Sequence, residues 1–179
     1  MIAASGNSEA TTYLDSILDE YDELNELMRL KHSALAALLK AKIALTTSKG
    51  INFHCSVHTS LENIKIKPHE LVNIVGNLID NAIDAVEDLE AENRYISLQI
   101  MYIEGYFSLM ISNFGVIEKH LLQKIFKETF TTKDISQHSG LGLSTVKKLV
   151  TKNKGEIRVK SSPETGTVFT VMLPAKEEA

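Results

Sequence analysis

The fold of this chain is decided by residues 77–85, which read Asn77-Leu78-Ile79-Asp80-Asn81-Ala82-Ile83-Asp84-Ala85. Asn77, Asn81 and Asp84 stand at positions i, i+4 and i+7 and therefore share one face of a helix that is otherwise apolar. A buried amide without a partner costs about 1–3 kcal/mol, so this polar stripe predicts a lined pocket. Its oxygens suit Mg²⁺ carrying phosphates. A hydrogen-bonded helix-packing site is the alternative.

The composition is that of a globular protein and excludes several classes. Of 179 residues, 44% are hydrophobic and 23% are charged, which predicts one domain with or without an appendage. The net charge of −4 argues against a nucleic-acid binder. The sequence contains no apolar run near the ~20 residues of a membrane span, and residues 1–6 lack the basic and apolar regions expected of a signal peptide. Cys55 is the single cysteine, which excludes an internal disulfide framework and suits a reducing compartment.

The first 48 residues predict two amphipathic helices. The apolar residues of the first recur at steps of three and four, as in a heptad seam, at Leu14, Ile17, Tyr21, Leu24 and Met28. The second runs from Ser33, a candidate N-cap, to Ser48, with Gly50 at its C-terminus. Because two such helices cannot bury both apolar faces alone, we predict a dimeric four-helix bundle. Packing onto the chain's own globular domain is the alternative.

From residue 51 onward the pattern becomes mixed. Alternating apolar residues predict strands near 51–57, 95–101, 107–112, 155–160 and 167–173, with a turn at Glu104-Gly105. Helical patterns cover residues 69–89, 121–126 and 141–153. This mixture predicts an α+β domain in which a sheet carries helices on one face.

Two further segments have the chemistry of a nucleotide site. Gly140-Leu141-Gly142-Leu143 leads directly into a helix, where backbone N–H groups can approach an anion closely. In residues 125–133, Phe130, Thr132 and Lys133 follow a short apolar segment and suit a cover over a nucleotide. Each signal is modest when taken alone.

In order and spacing, these segments resemble the ATP-binding domain of sensor histidine kinases, within the GHKL ATPase superfamily. Residues 77–85 resemble its N box, 125–133 its F box, 140–143 its second glycine box, and Gly166-Thr167 its last glycine box, before a Leu173-Pro174 ending. The resemblance covers about residues 50–174. It implies a Bergerat-type α/β sandwich with a mixed sheet covered by helices on one face.

The resemblance also implies roles for individual residues. Asn81 would bind Mg²⁺, and Asn113 stands where the family has an aspartate that accepts a hydrogen bond from the adenine amino group. Gly115 matches the first glycine of that box, but the second glycine is absent. The implied ATP-binding residues are Asn77, Asn81, Asp84, Asn113, Gly115, Phe130, Thr132, Lys133, Gly140, Leu141, Gly142, Leu143 and Thr167.

The helical part looks like the dimerisation hairpin of the citrate/dicarboxylate-type sensor kinases. Residues 6–10, Gly6-Asn7-Ser8-Glu9-Ala10, match a family segment that follows the phosphoacceptor histidine. We therefore expect the acceptor to lie before Met1. The implied organisation is a partial hairpin at 1–48, an ATP-binding domain at 50–175 and a tail at 176–179. The run His69-Glu70-Leu71-Val72-Asn73 imitates an acceptor motif, but we assign it to a surface helix start.

The implied function is transfer of the ATP γ-phosphoryl group to that histidine, for relay to an aspartate of a response regulator. ATP and Mg²⁺ are the implied cofactors, and this fragment alone should not autophosphorylate. We expect a homodimer through the hairpin and a receiver-domain partner, with no nucleic acid and no membrane contact by this fragment. It would be the cytoplasmic part of a membrane-anchored sensor. The alternatives are a GHKL serine kinase of the anti-sigma-factor type, and a non-catalytic interaction or phosphotransferase module with a degenerate ATP site.

Overall fold

The computed structural model describes residues 25–127 and 141–176. Its helices with both ends described are α1 (Ser33–Ser48), α2 (Pro68–Val86) and α3 (Gly142–Lys152), with a short 3₁₀ helix at Ala91–Asn93. Residues 25–29 are helical as well. Its strands are β1 (Asn52–Val57), β2 (Tyr95–Ile103), β3 (Tyr106–Asn113), β4 (Glu156–Ser162) and β5 (Gly166–Pro174). Most of the predicted heptad seam lies outside the described residues, as do the predicted site residues Phe130, Thr132, Lys133 and Gly140.

The five strands form one mixed sheet in the order β1-β2-β3-β5-β4. β1 pairs with β2 in parallel, and the other pairs are antiparallel. Between β2 and β3 the chain turns through Glu104 and Gly105, with φ of 49° and 86°. Positive φ at both central residues is the signature of a type I′ turn, so the predicted turn is confirmed.

The helices cover one face of the sheet. Leu98, Ile111 and Val171 point to that face and are fully buried, and α2 and α3 contact the strands there. Met110 and Thr170, which pair with each other across β3 and β5 on the opposite face, are only half-buried. This alternation has the period of two expected for a strand with one covered face. The predicted α+β architecture with helices on one face is confirmed.

α2 is the central helix of the covered face. It begins at Pro68, the first helical position, where the missing N–H and the fixed φ of proline are favourable. Its apolar side is completely buried at Leu71, Ile74, Val75, Leu78, Ile79 and Val86. The burial of one side fixes the rotation of the helix, and it thereby fixes where the polar stripe of Asn77, Asn81 and Asp84 points.

α1 has the predicted bounds, but it has a different cap. Ser33 is already helical, and the N-cap is His32, whose Nδ1 accepts a hydrogen bond of 3.1 Å from the backbone N–H of Leu35. Leu35 and Leu39 are completely buried. The expectation that Ser33 caps this helix was wrong because the chain enters helical geometry one residue earlier than a Ser33 cap requires.

α1 packs along α2 within the same chain. Lys42 Nζ lies 2.5 Å from an oxygen of Asp80, and Lys49 Nζ lies 2.5 Å from an oxygen of Glu87. Between these helices, Leu38 lies over Gly76. These contacts favour the alternative in which α1 packs onto its own globular domain. The predicted boundary between a hairpin at 1–48 and an ATP-binding domain at 50–175 stays a prediction.

One predicted element is absent. Residues 121–126 form turns rather than a helix. The N–H of Leu121 donates to Glu118 O and that of Lys124 to Leu121 O, which are bonds between residues three apart. A single bond between residues four apart, from Ile125 N to Leu121 O, does not continue into a helix. In the part of the chain that the structure describes, no helix combines the length and the apolar character needed to cross a membrane.

Candidate functional site

The polar stripe of α2 is ordered by a ladder of amide hydrogen bonds. Asn77 Nδ2 donates to the backbone oxygen of Asn73 at 2.8 Å and to its Oδ1 at 2.6 Å. Asn81 Nδ2 donates to Asn77 O at 2.7 Å. Because only the nitrogen of an amide can donate to a carbonyl oxygen, these bonds settle the orientation of each side chain. Oδ1 of Asn81 is therefore the atom that it offers to a ligand.

The beginning of α3 lies against this ladder. A Cβ atom at Gly142 would be 2.8 Å from Asn77 Oδ1 and 3.8 Å from Asn81 Nδ2, so the absence of a side chain there permits the approach. The cap residue Leu141 makes no side-chain hydrogen bond to the first turn. The first backbone N–H groups of a helix have no partner within it, and they carry the positive end of its dipole. A helix end that can attract an anion thus lies beside the amide oxygens of α2.

Asp84 completes the stripe one turn beyond Asn81 and is half-buried. The pKa of Lys49 is raised by its hydrogen bond to Glu87 and, to a smaller extent, by the negative charge of Asp84. The charge of Asp84 therefore reaches the junction between α1 and α2.

The end of β3 forms the second side of the site. Asn113 is buried beside Thr167 of β5, with which it is in register. Thr167 Oγ1 donates to the backbone oxygen of Gly115 at 2.7 Å. A Cβ atom at Gly115 would lie 2.6 Å from Ala85 Cβ, so the loop after β3 touches α2 directly. The polar stripe and the end of β3 are thus joined at Ala85, one turn beyond Asn81.

An ion pair between buried Glu70 and exposed Lys152 joins α2 and α3 at the end of α3 that is remote from Gly142. The side chain of Glu70 is only 4% exposed and accepts from Lys152 Nζ at 2.6 Å and from Asn153 Nδ2 at 3.1 Å. These two hydrogen bonds, the one from Lys152 first, lower the pKa of the Glu70 carboxyl. From the sequence, the run His69-Glu70-Leu71-Val72-Asn73 was assigned to a surface helix start. His69 is exposed as expected, but the assignment was wrong for Glu70, which is buried.

The structure brings most of the described site residues together. Asn77, Asn81 and Gly142 meet directly, and Asn113, Gly115 and Thr167 meet at the end of the sheet. Leu141 and Leu143 flank Gly142, the first exposed and the second half-buried. Asp84 lies between the two groups along α2.

Sequence reasoning did not find four residues that support the site. They are Asn73, Ala85, Ser161 and, as a buried residue, Glu70. The helical spacing of Asn73 before Asn77 was a usable signal, since residues four apart are neighbours on a helix. Ser161 and Glu70 act on partners 44 and 82 positions away along the chain, and no local pattern marks such pairs.

The comparisons with known proteins agree with this geometry. Residues 66–177 match the family described as histidine kinase-, DNA gyrase B-, and HSP90-like ATPase. The chain is 29% identical, over 164 residues, to a probable C4-dicarboxylate sensor kinase of Bacillus subtilis, covering 89% of this chain and 30% of the relative. It is 31% identical, over 153 residues, to sensor protein CitS of Halalkalibacterium halodurans, covering 83% of this chain and 28% of the relative.

A solved structure shows the same fold. The catalytic domain of histidine kinase ThkA, in a nucleotide-free form, superposes with a TM-score of 0.64 at 24% identity, covering 79% of this chain and 93% of that domain. The chain spans less than a third of the length of the two sensor proteins that it matches. The expected resemblance to sensor kinases of the citrate/dicarboxylate group with a GHKL domain is confirmed. The chain belongs to the family of histidine kinase-, DNA gyrase B- and HSP90-like ATPases, whose ATP-binding domain it contains.

Proposed function

We propose that this chain is the ATP-binding catalytic part of a two-component sensor histidine kinase. It would bind Mg²⁺-ATP between α2, the start of α3 and the end of β3. The γ-phosphoryl group would pass to a histidine on a helical hairpin and then to an aspartate of a response regulator. In such a reaction the protein acts mainly by positioning the phosphates and neutralising their charge.

The contact between Gly142 and Asn77 carries the proposal. It brings an uncapped helix N-terminus, which attracts anions, next to amide oxygens, which attract hard cations. A ligand that carries both, a polyphosphate with its metal, fits this pair of neighbours. The absence of a side chain at residue 142 lets the helix end and the amide oxygens come this close.

The residues present fit Mg²⁺. Asn81 offers Oδ1 because its Nδ2 is held by Asn77 O, and Asp84 lies one turn further on. Within residues 25–127 and 141–176, no three His, Cys, Asp or Glu side chains gather to hold a metal by themselves. Mg²⁺ typically takes one or two protein oxygens together with phosphate oxygens and water. When bound, it would neutralise the charge of the triphosphate.

The purine would lie at the end of β3. Asn113 is buried there, and its side-chain oxygen would accept a hydrogen bond from the amino group of adenine. Gly115 would keep the loop flat against Ala85 and so leave room for the base. An amide is a neutral acceptor, so we expect weaker adenine binding than a carboxylate would provide.

The remaining parts of the proposal concern partners and place. We propose a homodimer through the heptad seam predicted for the first helix of the hairpin, since α1 packs on α2 of its own chain. We also propose a response-regulator receiver domain as the phosphoryl acceptor. ATP and receiver domains are available in the cytoplasm, so the ATP-binding part would lie on that side of any membrane. Support comes from the family match and from the sensor kinases to which the chain is similar.

Thermal unfolding with and without Mg²⁺-ATP tests the nucleotide site. At a ligand concentration of 100 times Kd, binding adds about 2.7 kcal/mol of stability, which raises Tm by roughly 5–10 °C for a protein of this size. Asn81→Ala should abolish this rise. Asn63→Ala is the matched control, because Asn63 is exposed near the far end of β5, where its backbone oxygen pairs with Lys176.

The outcome also separates the alternatives. If Tm does not rise at millimolar Mg²⁺-ATP, the chain is an interaction module with a degenerate site and the proposal fails. If Tm rises, a histidine-bearing hairpin supplied in trans with γ-labelled ATP tests the acceptor. Phosphohistidine is labile in acid and stable in alkali, and phosphoserine behaves in the opposite way. Acid-stable label would therefore favour the serine kinase.

A further inference from the structure

A chain of hydroxyl groups runs from β4 to the loop that follows β3. Ser161 Oγ accepts the backbone N–H of Ile117 at 2.9 Å and lies 2.8 Å from Thr167 Oγ1. Thr167 Oγ1 lies 2.7 Å from the backbone oxygen of Gly115. We name these four groups the hydroxyl relay. Thr167 and Gly115 are buried, and Ser161 is half-buried.

The direction of every proton in the relay is determined by its two ends. The carbonyl oxygen of Gly115 can only accept, so the single hydroxyl proton of Thr167 must point to it. Thr167 Oγ1 must then accept the proton of Ser161. Ser161 Oγ in turn accepts from Ile117 N, which can only donate. The relay therefore holds both Gly115 and Ile117, in the loop that follows β3, to the sheet.

The relay ends at the atom that faces the amide of Asn113. Asn113 Nδ2 points to Gly115 O at 3.5 Å, and a Cβ atom at Gly115 would lie only 2.8 Å from that nitrogen. No group within the described residues donates to the side-chain oxygen of Asn113. Since no described side-chain nitrogen or oxygen is both buried and unpaired, this oxygen must be accessible from outside the protein. That oxygen is therefore available to a ligand.

This orientation matters because an asparagine can recognise two kinds of base edge. Its oxygen accepts from an amino group, whereas its nitrogen donates to a carbonyl oxygen. Rotation of the amide group by half a turn about its bond to Cβ exchanges the positions of the oxygen and the nitrogen. A carboxylate at this position would have two equivalent acceptor oxygens, so its orientation would not need to be fixed.

We infer that Ser161 is a positioning residue that determines specificity, because through Thr167 and Gly115 it orients the amide of Asn113. With the amide in this orientation, the site accepts a hydrogen bond from the 6-amino group of a purine and rejects a 6-oxo purine. The inference rests on the proposed function, because it requires the base to lie at Asn113. Ser161 does not touch the nucleotide. It acts by holding Gly115 O where Nδ2 of Asn113 must face it.

The test compares the affinities for Mg²⁺-ATP and Mg²⁺-ITP, measured by titration calorimetry. ITP carries a carbonyl oxygen in place of the amino group. We expect the unmodified chain to bind ATP more tightly, by about five- to a hundredfold, since the wrong base edge leaves polar groups unpaired. Ser161→Ala should lower this ATP/ITP ratio by about two- to tenfold, the value of one neutral hydrogen bond.

Three further variants make the result specific. Ser161→Thr keeps the hydroxyl and should keep the ratio. Ser162→Ala is the matched control, because this neighbouring serine of β4 bonds Thr165 in the turn and not the loop. In an Asn113→Asp background, Ser161→Ala should leave the ratio unchanged, because a carboxylate has no wrong orientation.

The outcomes are distinguishable. A purely structural role of Ser161 would lower Tm or weaken both nucleotides equally, and an unchanged ratio in Ser161→Ala would overturn the inference while the proposed function stands. The same fall in Ser162→Ala or in the Asn113→Asp background would also overturn it. Failure of the unmodified chain to bind either nucleotide would overturn the proposed function and the inference together.

Discussion

Gly142 and Asn77 approach so closely that no side chain fits between them. A Cβ atom at Gly142 would lie 2.8 Å from Asn77 Oδ1, and the Asn77 amide is held in place by two bonds to Asn73. Two segments 65 positions apart in the sequence thus form one surface, an uncapped helix end beside a ladder of amides. The candidate site exists because of this contact.

Gly142→Ala should therefore weaken Mg²⁺-ATP binding while the fold is retained. The new methyl group must push the Asn77 side chain aside. Because a side chain gives way more easily than backbone does, the fold is kept. We expect Kd to rise on the order of tenfold, about the value of one lost hydrogen bond to a charged ligand. Calorimetric titration measures this change.

Gly76→Ala is the matched control for that substitution. A Cβ atom there would meet Leu38 at 3.7 Å, which is ordinary contact. Because alanine is favoured over glycine inside a helix, this variant should gain about 0.5–1 kcal/mol in stability and keep its affinity. An unchanged Kd in Gly142→Ala, or an equal rise in both variants, would contradict the role assigned to the contact.

Gly115→Ala should destabilise the protein. Its new methyl group would lie 2.6 Å from Ala85 Cβ and 2.8 Å from the Ala85 backbone oxygen, and a helix backbone cannot move aside easily. We expect a loss of about 1–3 kcal/mol in the free energy of unfolding, the usual cost of overpacking. Urea denaturation measures it.

The neighbouring Val116→Ala provides the comparison for Gly115→Ala. Val116 is 51% exposed, and its truncation should change stability by about 0.5 kcal/mol or less. If Gly115→Ala proved as stable as Val116→Ala, the close packing of this loop on α2 would be wrong.

Leu39→Ala tests whether α1 belongs to the core of a single chain. Leu39 is completely buried, and its truncation should cost about 2–5 kcal/mol, whatever the protein concentration. Leu45→Ala, on the exposed side of the same helix, should cost much less. A loss that grew as the protein was diluted would instead indicate that Leu39 is covered by a second copy, as in a dimeric bundle.

The Glu70 ion pair predicts a pH dependence of stability. Its hydrogen bonds from Lys152 and Asn153 lower the pKa of the carboxyl in the folded state below the ordinary value of 4.5. A group with a lowered pKa stabilises the fold above its unfolded pKa, and that stabilisation is lost as the pH falls through the folded pKa. Wild type should therefore exceed Glu70→Gln in Tm at neutral pH, and the difference should shrink on acidification below about pH 4.

Glu156→Gln serves as the reference for this profile. The pKa of Glu156 is also lowered, by its hydrogen bond from Arg158, but both side chains are mostly exposed. Exposed ion pairs contribute little to stability, so its Tm difference should be small at every pH. A Glu70→Gln difference that stayed constant down to acidic pH would show that the carboxylate charge is not what stabilises this junction.

The sequence predicted the elements whose cause is local. The periodicity of residues 33–48 predicted the bounds of α1, and Glu104-Gly105 marked a hairpin turn because glycine readily adopts the positive φ that such a turn requires. The cap was missed because a histidine accepts the N-terminal hydrogen bond, which is a role more typical of serine. Residues 121–126 carried helical spacing but lack the run of bonds between residues four apart.

The candidate site was predicted residue by residue through its family motifs, but its assembly was not. Asn81 was proposed from spacing and resemblance, and Asn113 from resemblance alone. That Ala85 joins the two halves of the site, and that Asn73 holds Asn77, became evident only from packing distances. Phe130, Thr132, Lys133 and Gly140 stay predictions, since they lie outside the described residues.

By itself, the sequence determined the α+β class, the central polar-striped helix and the family, because periodicity, turn chemistry and motif spacing are properties of neighbouring residues. Only the tertiary structure decided that α1 packs along α2, that Glu70 joins α2 to α3, and that Ser161 holds the loop beside Asn113. Each of these depends on groups 38 to 82 positions apart, for which no local preference exists. Their contacts arise only when burial of the apolar faces has fixed how the helices and strands lie against one another.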